Sequence, residues 1–555
     1  MLDTLKTLVP EDTDMPPRAR ELQFRELFRT GEIYDVKAAN GQSALFEFHV
    51  EQNEAGEYIP LAKRKPSVRY GLAQIIVSDT TALLFGEGHF PAIEVTVGKA
   101  KAGKADKTAK QAGELIDDIL ADLIKETKLQ AVMLDGAVKG SVGSVVYWLR
   151  VLKGRVFIST MGTHNLTPEW DPEEPDKLLK VVEKYKVKGA VLMALGYTIH
   201  KDDTHADFWF QRTWDRAREI WYLPWPVKME KNVWVARGYP APETEDPKRT
   251  PKAHNLGLVP MVWVRNLPGG NDIDGECTFR AAMSNAVEID YQISQGGRGL
   301  KYSSDPVLHI RDPGYESIGG AVAIAAGPPR VGPAPPGGAP VVPRGIRKGA
   351  DRALVTGPNS EAKLLEINGT AAKAVEDYVR FMREISLELC GGNRTSPERL
   401  TGAQSGRAME MMNQSLIWVA DKLRSSYGEG ALVDILKMVL AANQVYDLMI
   451  AGEAHPKGTL PKPEKARISL KWPPWYPPTA ADDANEAIAI KTHREAGILS
   501  RETGIRKIAP RYDIEDPIEE MERIDADLQA DAEREIETQT AIKPPASPRI
   551  AKEAA

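Results

Sequence analysis

Two cysteines, Cys277 and Cys390, are all that the 555 residues contain. So few, and so far apart, cannot build a disulfide framework or a cysteine quartet for a metal, and they suit synthesis in a reducing compartment such as the cytosol. Long apolar runs are also missing. The longest uncharged apolar stretches, 189–200 and 319–329, contain glycine and fall short of the ~20 residues needed to cross a bilayer, so no membrane span is expected. Met1-Leu-Asp-Thr-Leu-Lys6 runs soon into Glu11, Asp12, Asp14, Arg18 and Arg20, which is no secretory leader. Neither sign of charge dominates: 72 Lys and Arg stand against 78 Asp and Glu, a net charge of -6. A basic DNA-coating protein is thereby excluded.

Proline and glycine are plentiful, 40 and 45, and their clustering divides the chain. Residues 1–128 predict a strand pair at 42–50 and 70–84, then a helix at 108–128. In that helix Leu115, Ile116, Ile119, Leu120, Leu123 and Ile124 recur at helical spacing, with Asp117, Asp118, Asp122 and Lys125 opposite. From 130 to 264 the texture is strand-rich, at 143–152, 155–159, 207–214, 219–225, 232–236 and 261–264. The fold class expected is α+β.

A helix at 276–295 follows, bounded by Gly275 and by Gly296-Gly297-Arg298-Gly299. It carries two apolar stripes, one of Phe279, Met283, Val287 and Tyr291, the other of Ala282, Ile289 and Ile293. A strand at 306–310 leads into 319–349, where Pro and Gly alternate too densely for regular structure. The next helix, 370–389, has Val375, Tyr378, Val379, Met382, Ile385 and Leu389 on one side, and Lys373, Asp377, Arg380 and Glu384 on the other. It is about 30 Å long, close to one turn of duplex DNA at roughly 34 Å. Cys390-Gly391-Gly392-Asn393 ends it. Thr401-Gly-Ala-Gln404 fits a capping box opening a long helix through Met409, Met412, Leu416 and Val419, with more helix at 431–450. After a strand at 466–472, Trp472-Pro-Pro-Trp-Tyr-Pro-Pro478 interrupts, and an acidic helical unit follows at 480–496, 500–508 and 516–537. There is no internal repeat.

Catalytic signatures fail on inspection. Gly98-Lys-Ala-Lys-Ala-Gly103-Lys104 has the glycine and lysine spacing of a phosphate-binding loop, but Ala105 stands where a Mg²⁺-binding hydroxyl is required. Ala131-Val-Met-Leu-Asp135 resembles the acid-ending strand that accompanies such a loop and reads as ordinary core. His200-Lys-Asp-Asp-Thr-His205 and Asp207 do not share a helix or strand face, so a solvated turn is expected rather than a metal site. No Gly-x-Ser-x-Gly elbow occurs, and neither cysteine neighbours a histidine. Met409, Met411 and Met412 read as packing. No cofactor, no metal and no enzymatic activity are expected.

The order of elements in the second half resembles a bacteriophage portal protein, the head-to-tail connector of tailed double-stranded DNA phages. The likeness is carried by Asn255-Leu-Gly-Leu-Val-Pro-Met-Val-Trp-Val-Arg-Asn266 leading into 277–295, by Gly391-Gly-Asn393, by Ser405-Gly-Arg-Ala408 opening a helix, and by Ala496-Gly-Ile-Leu-Ser500 after a Pro-rich strand. It covers 140–540 loosely and 255–510 well. The resemblance implies a homo-oligomeric ring, usually of twelve copies, at one capsid vertex of the virion, made in the cytoplasm of a bacterial host. Double-stranded DNA would pass through it. Its partners would be the terminase large subunit, then a head-tail adaptor, with the major capsid and scaffold proteins around it. The implied parts are a wing at 1–270 and 405–478, stem helices at 271–301 and 367–392, a clip at 302–366, a tunnel loop at 393–404, a crown at 479–540 and a tail at 541–555. The rivals are a packaging NTPase or nuclease, and another virion component such as a capsid or tail adaptor protein.

A closed ring uses heterologous contacts, so each subunit needs two different faces. Phe279, Met283, Val287 and Tyr291 with Ile289 and Ile293 are the candidates, against the alternative of a helix buried in a monomeric core. A channel must not grip DNA tightly, because each neutralised phosphate adds affinity. Arg394 and Arg399 are the candidate belt facing DNA, Arg380 and Arg383 weaker ones. Arg380 has Glu376 and Glu384 at four-residue spacing and is expected in surface pairs. The segment 327–338 is either an extended arm to a neighbour or a disordered tip.

Overall fold

The computed structural model describes residues 1–38, 41–97, 107–228, 230–251, 253–304, 307–311, 361–365, 370–392, 406–476, 479–509, 514 and 516–541. Helices and mostly antiparallel sheets are mixed along the chain, consistent with an α+β fold. The chain divides into two compact units, 1–395 with 413–475, and 396–412 with 476–555.

The first unit is built around a three-stranded antiparallel sheet in the order Met261–Arg265, Ser144–Leu152, Arg155–Gly162. Its central strand is apolar on both faces because both are covered. Val145, Tyr147 and Leu149 point into a core shared with helices Leu129–Gly140 and Val433–Asn443. Val146 and Trp148 point the other way, against Leu166, Val181 and Trp214 of a second sheet. That sheet runs Trp225–Pro226, Asp207–Asp215, Leu178–Lys188, Leu166–Trp170, with Glu219–Trp221 also on Asp207–Asp215. Between the sheets Arg212 lies over Trp214 at 4.9 Å and Trp221 at 4.7 Å. Its charge is neutralised by Glu183 at 2.5 Å, so burial of both is tolerated.

The helix Lys107–Thr127 and strands 144–152, 207–215 and 261–265 occur where periodicity places them. Other expectations are corrected. Residues 70–84 are not a strand but the helix Leu72–Phe85: Leu72, Ala73, Ile76, Val77, Thr80 and Leu84 are buried at three- and four-residue spacing, and this outweighs its β-branched composition. Residues 232–236 lie in the short helix Lys231–Ala236. The segment 129–140, expected in a strand-rich region, is a helix whose Gly136 and Gly140 admit Tyr147 and Tyr427, since an added Cβ would lie about 2 Å from each hydroxyl. Residues 431–450 end as helix at Asn443, and Leu448–Ile450 is a strand paired with Glu453–His455. Between helices Gln414–Leu423 and Val433–Asn443, the stretch Arg424–Leu432 is π-helical, a distortion that often marks a functional position.

In the second unit, Thr479 caps helix Ala480–Glu495 in a reciprocal box with Asp482. Ser500 caps Arg501–Ile508 through the Thr503 amide at 3.2 Å. Arg501 pairs with Asp525 of the long helix Pro517–Ala541, and Lys507 with Glu486 at 3.2 Å. Met411 and Met412 in helix Gly406–Met412 are exposed rather than packed.

Candidate functional site: an antiparallel helix pair

The pair consists of Met283–Ser304, entered through a 3-10 turn at Arg280–Ala282, and Thr370–Cys390. The first helix starts later than expected and runs straight through Gly296, Gly297 and Gly299. Tertiary packing offsets the glycine cost of about 1 kcal/mol each. At Gly296 the reason is visible, because an added Cβ would stand 2.9 Å from Val375 of the second helix. An equal number of residues away along both helices, the Cys390 thiol lies against the backbone of Ala281 and Ala282. The two helices are therefore antiparallel and closely packed. Beyond their far end, Val307–Arg311 and Glu361–Leu365 form an antiparallel strand pair with Val307 opposite Leu365.

The base is pinned by polar side chains. Asn266, 1% exposed, donates from Nδ2 to the Glu276 carbonyl and Thr278 Oγ1, both at 2.8 Å. Its Oδ1 accepts from Tyr427. Asp274 accepts the Arg18 guanidinium side-on, at 2.5 Å from Nε and 2.7 Å from Nη2, and also the Ser144 hydroxyl.

Phe279, just before the 3-10 turn, and Met283, Val287, Ile289 and Tyr291 along the first helix are buried and Ile293 half-buried, all within a core shared with Leu22, Phe28, Ile33, Leu72 and Ile76. This corrects the expectation of two faces offered to neighbouring copies: those side chains are already used inside the chain. The N-terminal segment grips the same helix through polar contacts. Tyr34 Oη donates to Asp290 at 3.0 Å, the Tyr70 amide donates to its other oxygen at 2.7 Å, and Tyr291 Oη donates to the Arg64 carbonyl at 2.6 Å. Burial pushes the Asp290 carboxyl up to about 6. Burial, with Asp290 beside it, also raises the Tyr34 phenol far above its usual range.

On the second helix the expected single apolar side is split in two. Val379 and Met382 pack inward with Leu387, as Val375 does against Gly296. Tyr378, Phe381 and Leu389 are 42%, 58% and 58% exposed and, with half-buried Ile385, make an outward stripe. Arg380 makes the expected surface pair with Glu376 at 3.1 Å. Arg383 turns the other way, towards Asp79 of helix Leu72–Phe85. Arg394, Arg399, the box at 401–404 and the arm at 327–338 lie outside the described residues.

The other candidate chemistry disperses. Strand Ala92–Val97 pairs antiparallel with Ala466–Lys471 in a two-stranded sheet, unlike the parallel sheet of a doubly wound nucleotide fold; Gly98–Lys104 lies outside the described residues. Asp135 sits on a helix, bonded to Lys139 at 2.7 Å and to Thr160. Asp203, within the histidine turn, is engaged by Arg237 and by Tyr239 at 2.8 Å, while His200 faces Asp202 at 3.4 Å. Among the described residues no group of three or more His, Cys, Asp or Glu is placed to hold a metal, and no helix is long and apolar enough to cross a membrane. No protein-family model matches the chain, and no curated protein matches it.

Sequence reasoning missed Asn266, Asp274, Asp290 and Arg424. Asp274 and Asp290 act through partners more than a hundred residues away, Asn266 does so through Tyr427, and Arg424 meets two tryptophans of the Pro-rich break; no local spacing signals that.

Proposed function

We propose that the chain is the subunit of a phage portal: a non-enzymatic ring at one capsid vertex through which double-stranded DNA is packaged and ejected. The observation that carries the reading is the antiparallel helix pair. Within the first unit it ends distally in a strand pair and shows an apolar stripe of Tyr378, Phe381 and Leu389 on its outer side. In a ring that stripe is the contact with a neighbouring copy, and the Phe279 to Ile293 side chains hold the helix within its own subunit. The second helix, 21 residues long, spans about 30 Å, close to one duplex turn.

On this reading the paired helices are the stem, the strand pair is the root of the clip that meets the terminase large subunit and later a head-tail adaptor, and the acidic helical unit is the crown. The capsid and scaffold proteins surround the ring. Arg394 and Arg399 form the positive belt around the DNA, each repeated once per copy. The mildly acidic balance, net -6, keeps the remaining wall from binding phosphates tightly. Negative-stain images of the purified protein test the proposal: rings with an axial hole are expected, and isolated compact particles would remove it.

A further inference from the structure

Arg424 opens the π-helical stretch Arg424–Leu432 and is only 8% exposed. Its guanidinium carbon lies 4.5 Å from the ring centre of Trp472 and 3.3 Å from that of Trp475. The clamp is built in. Gly428 lets Trp472 in, since an added Cβ would meet its Cζ2 at 2.3 Å. Phe85 backs the same ring at 6.0 Å, and Leu83, Leu416 and Ala420 pack with Trp475. Stacking holds the guanidinium plane and leaves its edges to make hydrogen bonds.

One whole edge makes none. Nε and Nη2 are both buried without an acceptor. These two nitrogens form the side-on fork that takes two oxygens of one anion. Elsewhere in the chain the same two nitrogens are filled: Arg18 on both oxygens of Asp274 at 2.5 and 2.7 Å, Arg29 on both of Glu26, and Arg155 on one oxygen of Glu126 at 3.1 and 3.0 Å. Asp421, one turn earlier, adds charge nearby but no bond to the fork. His89 Nδ1 is a second buried atom without a partner, on a side chain that feels the charge of Arg424. A water molecule would satisfy the hydrogen bonds but not the charge, and arginine does not deprotonate.

We propose that the Arg424 fork, clamped between Trp472 and Trp475, is a binding site for a small phosphate-class oxyanion held side-on by Nε and Nη2. The fork atoms are covered, which suits a small free ion and excludes a duplex backbone. The site does not depend on the portal reading.

The test is thermal unfolding of the full-length protein in phosphate, acetate and chloride at matched ionic strength. Phosphate is expected to raise the Tm saturably above chloride, and Arg424→Lys, which keeps the charge but loses the fork, to abolish the rise. A rise that survives in Arg424→Lys, or one that acetate matches, overturns the proposal. If the variant does not fold, the ³¹P linewidth of phosphate added to the unaltered protein decides: saturable broadening supports the site, and a linewidth indifferent to the protein overturns it.

Discussion

Tyr427 donates its hydroxyl hydrogen bond to Asn266 Oδ1 at 3.1 Å, at a junction where both residues are almost wholly buried. Ser426 donates to the Asn266 carbonyl at 2.9 Å, and the Asn266 amide donates to Gly143 at the same distance. One asparagine thus joins the end of strand Met261–Arg265, the entry to the helix pair and the π-helical stretch.

Asn266→Ala leaves the Tyr427 hydroxyl, the Thr278 hydroxyl and the Glu276 carbonyl without their partner. A loss of about 1–3 kcal/mol is expected for such a buried network, with Tyr427→Phe costing less because only one bond goes. Urea unfolding of the two variants checks the order; equal stability of Asn266→Ala and the parent would remove the junction's importance.

Gly296→Val forces apart helices that need a glycine there, because even a Cβ lies 2.9 Å from Val375. Overpacking of this kind costs about 1–3 kcal/mol. Val375→Ala in the same chain is expected to restore much of it. Non-additivity in the double-mutant cycle is the readout.

These two positions show what was and was not legible in the sequence. The second helix of the pair, the helix 107–127 and the central strand were readable because their apolar spacing is regular over many residues. Leu72–Phe85 was hidden by Ile75, Ile76, Val77, Thr80 and Thr81, whose branching favours strands until burial decides. The run through Gly296 and Gly297 read as a terminus because local propensity cannot see Val375. Tyr378 and Leu389 were grouped with Val379 and Met382 because periodicity gives an apolar arc, not which part of it a neighbour covers. Arg424 carried no signal, since its clamp is formed by two tryptophans of the Pro-rich break, far along the chain.

Stability should fall with rising pH around Asp290. Its folded carboxyl is raised by burial from 3.8 to about 6, so between those values the native state holds a proton that the unfolded chain has released. The contribution is complete below the unfolded value and is lost as pH rises through about 6. Asp290→Asn removes it, and the stability difference from the parent should change by up to roughly 3 kcal/mol between acid and neutral pH. Unfolding free energies of both proteins across that window give the slope; parallel curves would contradict the assignment.

Phe381→Asp with Tyr378→Asp is expected to abolish assembly while leaving the subunit folded. Both side chains are exposed, so the fold loses at most about 0.5 kcal/mol for each. Circular dichroism and sizing separate the outcomes: a folded monomer supports the stripe as the contact between copies, and an intact assembly places that contact elsewhere.

Mass photometry of the purified full-length chain, over a range of concentration and salt, addresses the central claim most directly. A closed species near twelve times the 61.1 kDa subunit mass is predicted. A particle of single-subunit mass under every condition would contradict the ring.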